Sequence, residues 1–150
     1  MMNAVTADLN DIRTVTARDK FAAYIELTKP RIAVLLVLTS AAGFYLGSPA
    51  GFEWILFAHS MAAITLLAFG VATLNQWLER DLDLLMDRTK RRPLPARTLS
   101  PNDALIFGVL QCVIAEVYLF ALVNVLTGIL GLVVILGYVL VYTPLKTRTT

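Results

Sequence analysis

The sequence predicts an all-α fold, a polytopic bundle of membrane-spanning helices, and three observations predict it. Of the 150 residues, 57% are hydrophobic and 16% charged, with a mean hydropathy of +0.69, whereas a soluble domain carries about 25% charged residues. The apolar residues run in long blocks at 33–47, 54–74, 104–123 and 125–143. The last three are each about 20 residues, enough to cross a hydrocarbon core. All 13 Lys and Arg fall on one side of the topology that these blocks imply, the charge asymmetry of a membrane protein.

Taken in order, residues 1–26 read as a polar cytoplasmic tail and 27–150 as one membrane domain, with spans at about 31–48, 54–78, 102–123 and 125–143. No apolar core precedes Ile32, which argues against a cleaved secretory signal; Asp8, Asp11, Asp19 and Glu26 argue against an acid-poor transit peptide. Phe21, Tyr24, Ile25 and Leu27 suit a short interfacial helix. Lys29-Pro30-Arg31 opens the first span, where proline is tolerated because its missing N–H has no helical partner in the first turn. Gly43 and Gly47 form a small-x-x-x-small pair that permits close helix packing, and Ser48-Pro49-Ala50-Gly51 is a tight turn.

The second span begins at Trp54 and runs into a charged stretch that has to end before Pro93, with Pro95 favouring an extended connection. Ser100, Pro101 and Asp103 read as N-cap, first-position proline and capping-box acid of the third span. Asn124 marks the next turn, and Tyr142-Thr143-Pro144 ends the fourth span. The positive-inside rule places both ends of this segment and the central basic loop in the cytoplasm, with the spans in a cytoplasmic (inner) membrane of bacterial type. The single Cys112 excludes an internal disulfide or a thiolate metal site. No nucleic-acid partner is expected.

Residues 75–93 hold four carboxylates and five basic side chains. Asn75, Glu79, Asp83 and Asp87 recur every four residues, and each step of four advances only about 40° around a helix, so they fall on one inclined stripe. Acids at the mouth of a membrane helix are costly unless they hold a cation or face water. The basic neighbours point to an anionic ligand, and a divalent metal holding a phosphate satisfies both signs. The plainer alternative is a solvated helix end whose acids pair with Arg80 and Arg88. Asp81 lies about 120° from Asn75 around the helix, and Asp87 is the less secure member because the helix can end before it.

Lys90-Arg91-Arg92 reads equally as an orientation signal touching acidic lipid head groups or as direct ligands; Arg88, nearer the stripe, is the better phosphate candidate. Tyr142 and Lys146, spaced i, i+4, taken alone read as a belt tyrosine and a snorkelling lysine more readily than as phosphate partners. His59 lies 16 residues from Asn75, about 24 Å along a helix, and cannot share a metal site with it; a packing histidine is preferred to a heme ligand. Glu116, with Gln111, near the middle of the third span either lines a cavity or bonds another helix.

The segments Leu27-Thr28-Lys29-Pro30-Arg31-Ile32, Asn75-Gln76-Trp77-Leu78-Glu79-Arg80-Asp81-Leu82-Asp83, Met86-Asp87-Arg88-Thr89, Arg92-Pro93-Leu94-Pro95 and Tyr142-Thr143-Pro144-Leu145-Lys146 together resemble the protoheme IX farnesyltransferase (heme O synthase) branch of the UbiA-type membrane prenyltransferases. The resemblance runs from Leu27 onward. It implies Asn75, Glu79 and Asp83 as the first acidic motif, catalytic and metal-binding, with Asp87 a weaker member. It implies Arg88, Tyr142, Lys146 and Arg31 as diphosphate-binding residues and Mg²⁺ as the ion. Farnesyl diphosphate and protoheme IX (heme b) would be substrates and heme O the product, in heme A biosynthesis, with membrane lipids and other heme A biosynthesis proteins as partners. Glu79 stands where the superfamily more often has aspartate. The family fold implies a larger bundle of about nine helices, so a four-span N-terminal half would leave helix faces unsealed and is expected to be inactive alone. Two alternatives stay open: a related prenyltransferase with an aromatic acceptor, and a non-enzymatic four-helix scaffold that binds acidic lipids.

Overall fold

The computed structural model describes residues 15–48 and 51–142, with side chains through residue 139. Helix α1 spans Ala17–Leu27, α2 Pro30–Leu46, α3 Trp54–Asp83, α4 Pro101–Leu122 and α5 Val125–Leu136, which continues into a π-helical turn, Gly137–Tyr142. The four bundle helices α2 to α5 match the four expected spans. The Pro49-Ala50 part of the first turn, the Tyr142 side chain, Pro144 and Lys146 lie outside the described residues.

Local chemistry sets the helix ends. α1 begins earlier than the expected interfacial segment because Thr16 and Asp19 form a capping box: Thr16 Oγ1 accepts the Asp19 N–H and Asp19 Oδ2 accepts the Thr16 N–H. Pro30 takes the first position of α2, behind Lys29 in a left-handed conformation at φ 48°. Ser100 caps α4 by accepting the Asp103 N–H at 3.4 Å; only this half of the expected capping box forms among the described residues. Asn124 caps α5 through the Thr127 N–H at 2.8 Å.

α3 runs to Asp83, beyond the membrane span read at about 54–78 and short of Pro93, so one helix takes in Asn75, Glu79 and Asp83. No helix breaker interrupts the charged stretch, and the Thr89 hydroxyl donates to the Asp83 carbonyl at 3.0 Å, satisfying one of the acceptors a helix C-terminus leaves open. At 30 residues α3 is about 45 Å long. α3 and α4 are each long and apolar enough to cross a membrane; α2, α5 and the π turn are shorter.

The core lies mainly between the antiparallel helices α3 and α4, where Ala63, Leu67, Val71 and Leu74 meet Cys112, Ala115 and Leu119. Small residues bring the backbones close. A Cβ added at Gly70 would lie 2.6 Å from Cys112 Sγ and 2.9 Å from Cys112 N, and one at Gly108 would lie 3.0 Å from the Leu74 side chain. The small pair singled out in the sequence does not do this work: Gly43 has nothing within 4 Å, and Gly47 meets only carbonyls of its own helix.

Polarity is inverted relative to a soluble protein. Leu35, Ile55, Val117 and Leu130 face outward, while Asn75, Gln76, Glu79, Asp83, Gln111 and Glu116 are buried. An apolar exterior around a polar interior suits a hydrocarbon solvent. At the end opposite the basic residues, Phe44, Phe52, Trp54 and Phe57 form a ring cluster of the kind found at membrane interfaces. At the basic end, α1 and the 84–100 loop fold over the bundle: Ala23 and Leu27 pack with Leu94, Leu99 and Ala104. Gln76 Nε2 donates to the Leu27 carbonyl at 3.1 Å and the Glu26 carbonyl at 3.3 Å, tying α1 to α3.

Candidate active site at the basic end of the bundle

Asn75, Glu79 and Asp83 all lie on regular helix, and all three are buried, at 3%, 6% and 4% exposure. A solvated helix end would leave them open to water, so the burial removes that reading. Asp87 lies past the helix, exposed, and pairs with Lys90 at 2.6 Å. Asp81 points away from the stripe and stands 3.7 Å from Arg80. Arg80 in turn donates to the Trp77 carbonyl at 2.9 Å, with its guanidinium 4.6 Å from the Trp77 ring. Among the described residues, none of the ion pairs seen joins a stripe acid to Arg80 or Arg88.

Asp83 is paired instead with Arg92, whose Nη1 donates to Asp83 Oδ2 at 2.7 Å. The nine-residue separation follows no helical period, so no spacing argument selects it; only the fold of the loop brings the two together. Arg88 and Arg31 are both exposed. The residue of the Lys29-Pro30-Arg31 segment that faces inward is Lys29, on the wall of the main cavity. No helical period gives this, because Lys29 is the left-handed N-cap residue ahead of α2.

That cavity, about 500 Å³, lies between α2, α3 and α5. Ile32 and Leu36 line it from α2, Ile64, Ala68 and Val71 from α3, and Val134 from α5. On α3 the steps from Ile64 to Ala68, Val71, Asn75, Glu79 and Asp83 are four, three, four, four and four residues. Cavity wall and polar residues thus follow one inclined stripe of α3, which turns about 120° from Val71 to Asp83 and is apolar deep in the bundle and oxygen-rich toward its basic end. From Val71 to Asp83 the axial distance is about 18 Å.

The donor set of Asn75, Glu79 and Asp83 is made of hard oxygens. Among the described residues no three His, Cys, Asp or Glu side chains gather into a set able to hold a metal alone. Two carboxylates and an amide nevertheless fit Mg²⁺, which is commonly bound by one or two carboxylates together with substrate phosphates. Arg92 engages Oδ2 of Asp83 and leaves Oδ1 outside that bond.

The other polar candidates lie deeper. His59 Nδ1 is 2.7 Å from Tyr118 Oη, toward the aromatic end, in agreement with a packing histidine. Glu116 lies against Gly131 of α5, and neither of its buried oxygens has a hydrogen-bond partner among the described residues.

Residues 36–150 match the family model described as the UbiA prenyltransferase family. Among curated proteins, the chain is 40% identical to a protoheme IX farnesyltransferase of Solibacter usitatus over 84% of its own length and 46% of the relative's. It is 41% identical to one of Opitutus terrae, covering 89% of this chain and 45% of the relative. It is 38% identical to protoheme IX farnesyltransferase 1 of Pseudomonas putida, covering 96% and 47%. The chain spans about half the length of the curated relatives it matches. No solved structure gives a significant match. A family match over most of the chain, together with the buried acidic stripe and the membrane-type bundle, leads to one conclusion: the chain belongs to the UbiA prenyltransferase family.

Proposed function

We propose that this chain supplies the first acidic motif and part of the prenyl cavity of an enzyme that transfers a farnesyl group from farnesyl diphosphate to a vinyl group of protoheme IX, giving heme O. One observation carries the reading: the inclined stripe of α3 that is apolar along the cavity and oxygen-rich beyond it, in keeping with an amphiphile of linear apolar tail and anionic head. The names of the matched relatives support the acceptor.

In the reaction the allylic C–O bond breaks and diphosphate departs. The allylic carbon bonds to one vinyl carbon as the vinyl π bond opens, and water adds to the other and loses a proton, giving the hydroxyl of the product. Asn75, Glu79 and Asp83 would hold Mg²⁺, which when bound neutralises charge on the departing diphosphate. Lys29 stands at the cavity wall, where its ammonium can face the head group. Ile32, Leu36, Ala68, Val71 and Val134 surround the tail and exclude water from the reactive carbon until transfer. Arg31, Arg88, Tyr142 and Lys146 remain proposed contributors at the diphosphate. The site faces the cytoplasm on this reading, because the basic residues cluster at its end.

The test uses membranes containing the protein at the full length of its relatives, supplied with farnesyl diphosphate, Mg²⁺ and heme b. Asp83→Asn should abolish heme O formation while membrane insertion is unchanged. Near-normal turnover in that variant would sink the assignment. Replacing heme b with aromatic acids tests the other acceptor class.

A further inference from the structure

The basic loop after α3 contains Arg88, Lys90, Arg91, Arg92 and Arg97, and the fold treats them differently. Arg88, Lys90, Arg91 and Arg97 are exposed. Arg92 is largely withdrawn from solvent, at 23% side-chain exposure, and is the loop cation brought against the buried stripe. Its backbone is fixed on both sides: the Arg92 N–H donates to the Thr89 carbonyl and the Ala96 N–H donates to the Arg92 carbonyl, each at 2.9 Å. Thr89 is itself held by the Asp83 carbonyl, and Leu94 is anchored in the cluster under α1.

We propose that Arg92 is a phosphate-binding residue of the prenyl diphosphate site, aimed by Asp83. This rests on the prenyl diphosphate reading above. A guanidinium carries five N–H donors in a planar fork and suits bidentate recognition of phosphate. One donor is used on Asp83 Oδ2, and that bond fixes the plane of the fork while leaving others for phosphate oxygens. Ordering the side chain before the ligand arrives lowers the entropic cost of binding. Charge balance points the same way. Asp83 alone would repel a diphosphate; the guanidinium bonded to it offsets that charge and remains charged at any working pH. The position also fits, since Arg92 reaches the stripe at Asp83, about 18 Å along α3 from Val71 on the cavity wall.

The experiment measures equilibrium binding of farnesyl diphosphate and of farnesol, its uncharged tail, with Mg²⁺ present, to the full-length protein in lipid nanodiscs. Arg92→Gln should weaken farnesyl diphosphate by about 10- to 100-fold, the range for charge-assisted hydrogen bonds, and leave farnesol within about twofold. Arg92→Lys keeps the charge without the fork and should recover part of the loss, while Arg91→Gln should change nothing. Unchanged diphosphate binding in Arg92→Gln overturns the proposal. So does an equal loss of diphosphate and farnesol in both Arg92 variants, which marks a structural role. A wild-type protein that binds farnesol as tightly as farnesyl diphosphate overturns the underlying prenyl diphosphate reading instead.

Discussion

Gly70 tests the packing that positions the stripe. It sits in α3 directly against α4, and a methyl group there would lie 2.6 Å from Cys112 Sγ, 2.9 Å from Cys112 N and 3.1 Å from the Gly108 carbonyl oxygen. Two of these three atoms are backbone, so no rotamer change relieves the clash and the helices have to part. Gly70→Ala gains about 1 kcal/mol of helix propensity, but overpacking of this kind costs about 1–3 kcal/mol. The net expectation is a loss of about 1 kcal/mol, or about 2–4 °C in the thermal unfolding midpoint for a chain of this size. Gly43→Ala is the matched control, because its methyl group meets nothing within 4 Å and only the propensity gain remains. Thermal unfolding in detergent should therefore order the proteins Gly43→Ala, wild type, Gly70→Ala. Adding Cys112→Ala to Gly70→Ala removes the sulfur contact but neither backbone contact, so it should restore only part of the loss. A Gly70→Ala protein as stable as Gly43→Ala would refute the close approach. Asn75 and Glu79 follow on the same helix, and a displacement of about 1 Å at a reacting group can cost about 100-fold in rate. In the active protein, Gly70→Ala should lower turnover more than stability alone accounts for.

Two further outcomes follow from groups that sequence periodicity does not reach. Glu116 has both oxygens buried without a partner among the described residues, so Glu116→Leu, similar in volume, should leave the unfolding midpoint unchanged or raise it; a fall of several degrees would mean that the carboxyl makes a stabilising bond. Gln76→Leu removes both side-chain bonds to the end of α1, at about 1 kcal/mol each. Limited trypsin digestion should then cut faster at Arg18 and Lys20, and an unchanged rate would place the docking of α1 on the contacts of Leu27 with Leu94 and Leu99 alone.

The parts of the fold that were legible in the sequence are those governed by local chemistry. Apolar block length gave four bundle helices, Pro30 and Ser100 marked helix starts, and the four-residue recurrence of Asn75, Glu79 and Asp83 put them on one face because a helix enforces that period. The sequence placed the end of α3 only somewhere before Pro93, because its position at Asp83 goes with Thr89 reaching back to the Asp83 carbonyl, a contact set by the loop. The small-residue pair was misjudged for a related reason. Gly43 and Gly47 have the right spacing, but spacing does not say which helix arrives opposite, and in the structure the close approaches fall at Gly70, Gly108, Gly128 and Gly131. Arg92 was one of three adjacent basic residues with equivalent local sequence, and only the path of the chain from Leu84 to Leu99 distinguishes it.

The burial of the stripe has a further consequence for how the site is built. Asn75, Glu79 and Asp83 rise along one helix at about 6 Å per step. Donors so spaced approach a ligand from one side only, and neither geometry nor charge lets them enclose a diphosphate. The same site also draws on elements that are close in space but separated in sequence: Lys29 from the start of α2, Arg92 from the loop after α3, and the cavity walls of α2 and α5. Lys29 follows from the proline-led helix start, Arg92 is held by the bond to Asp83, and the α5 wall sits close on Glu116 at Gly131. Hydrocarbon outside the bundle favours this division. Polar groups are costly on a lipid-facing surface, so Asn75, Glu79 and Asp83 are drawn to the interior side of α3 and gathered toward one end. The loop and α1 then cover that end. The arrangement that lets the chain rest in a membrane is therefore the same one that concentrates its binding chemistry at a single buried face.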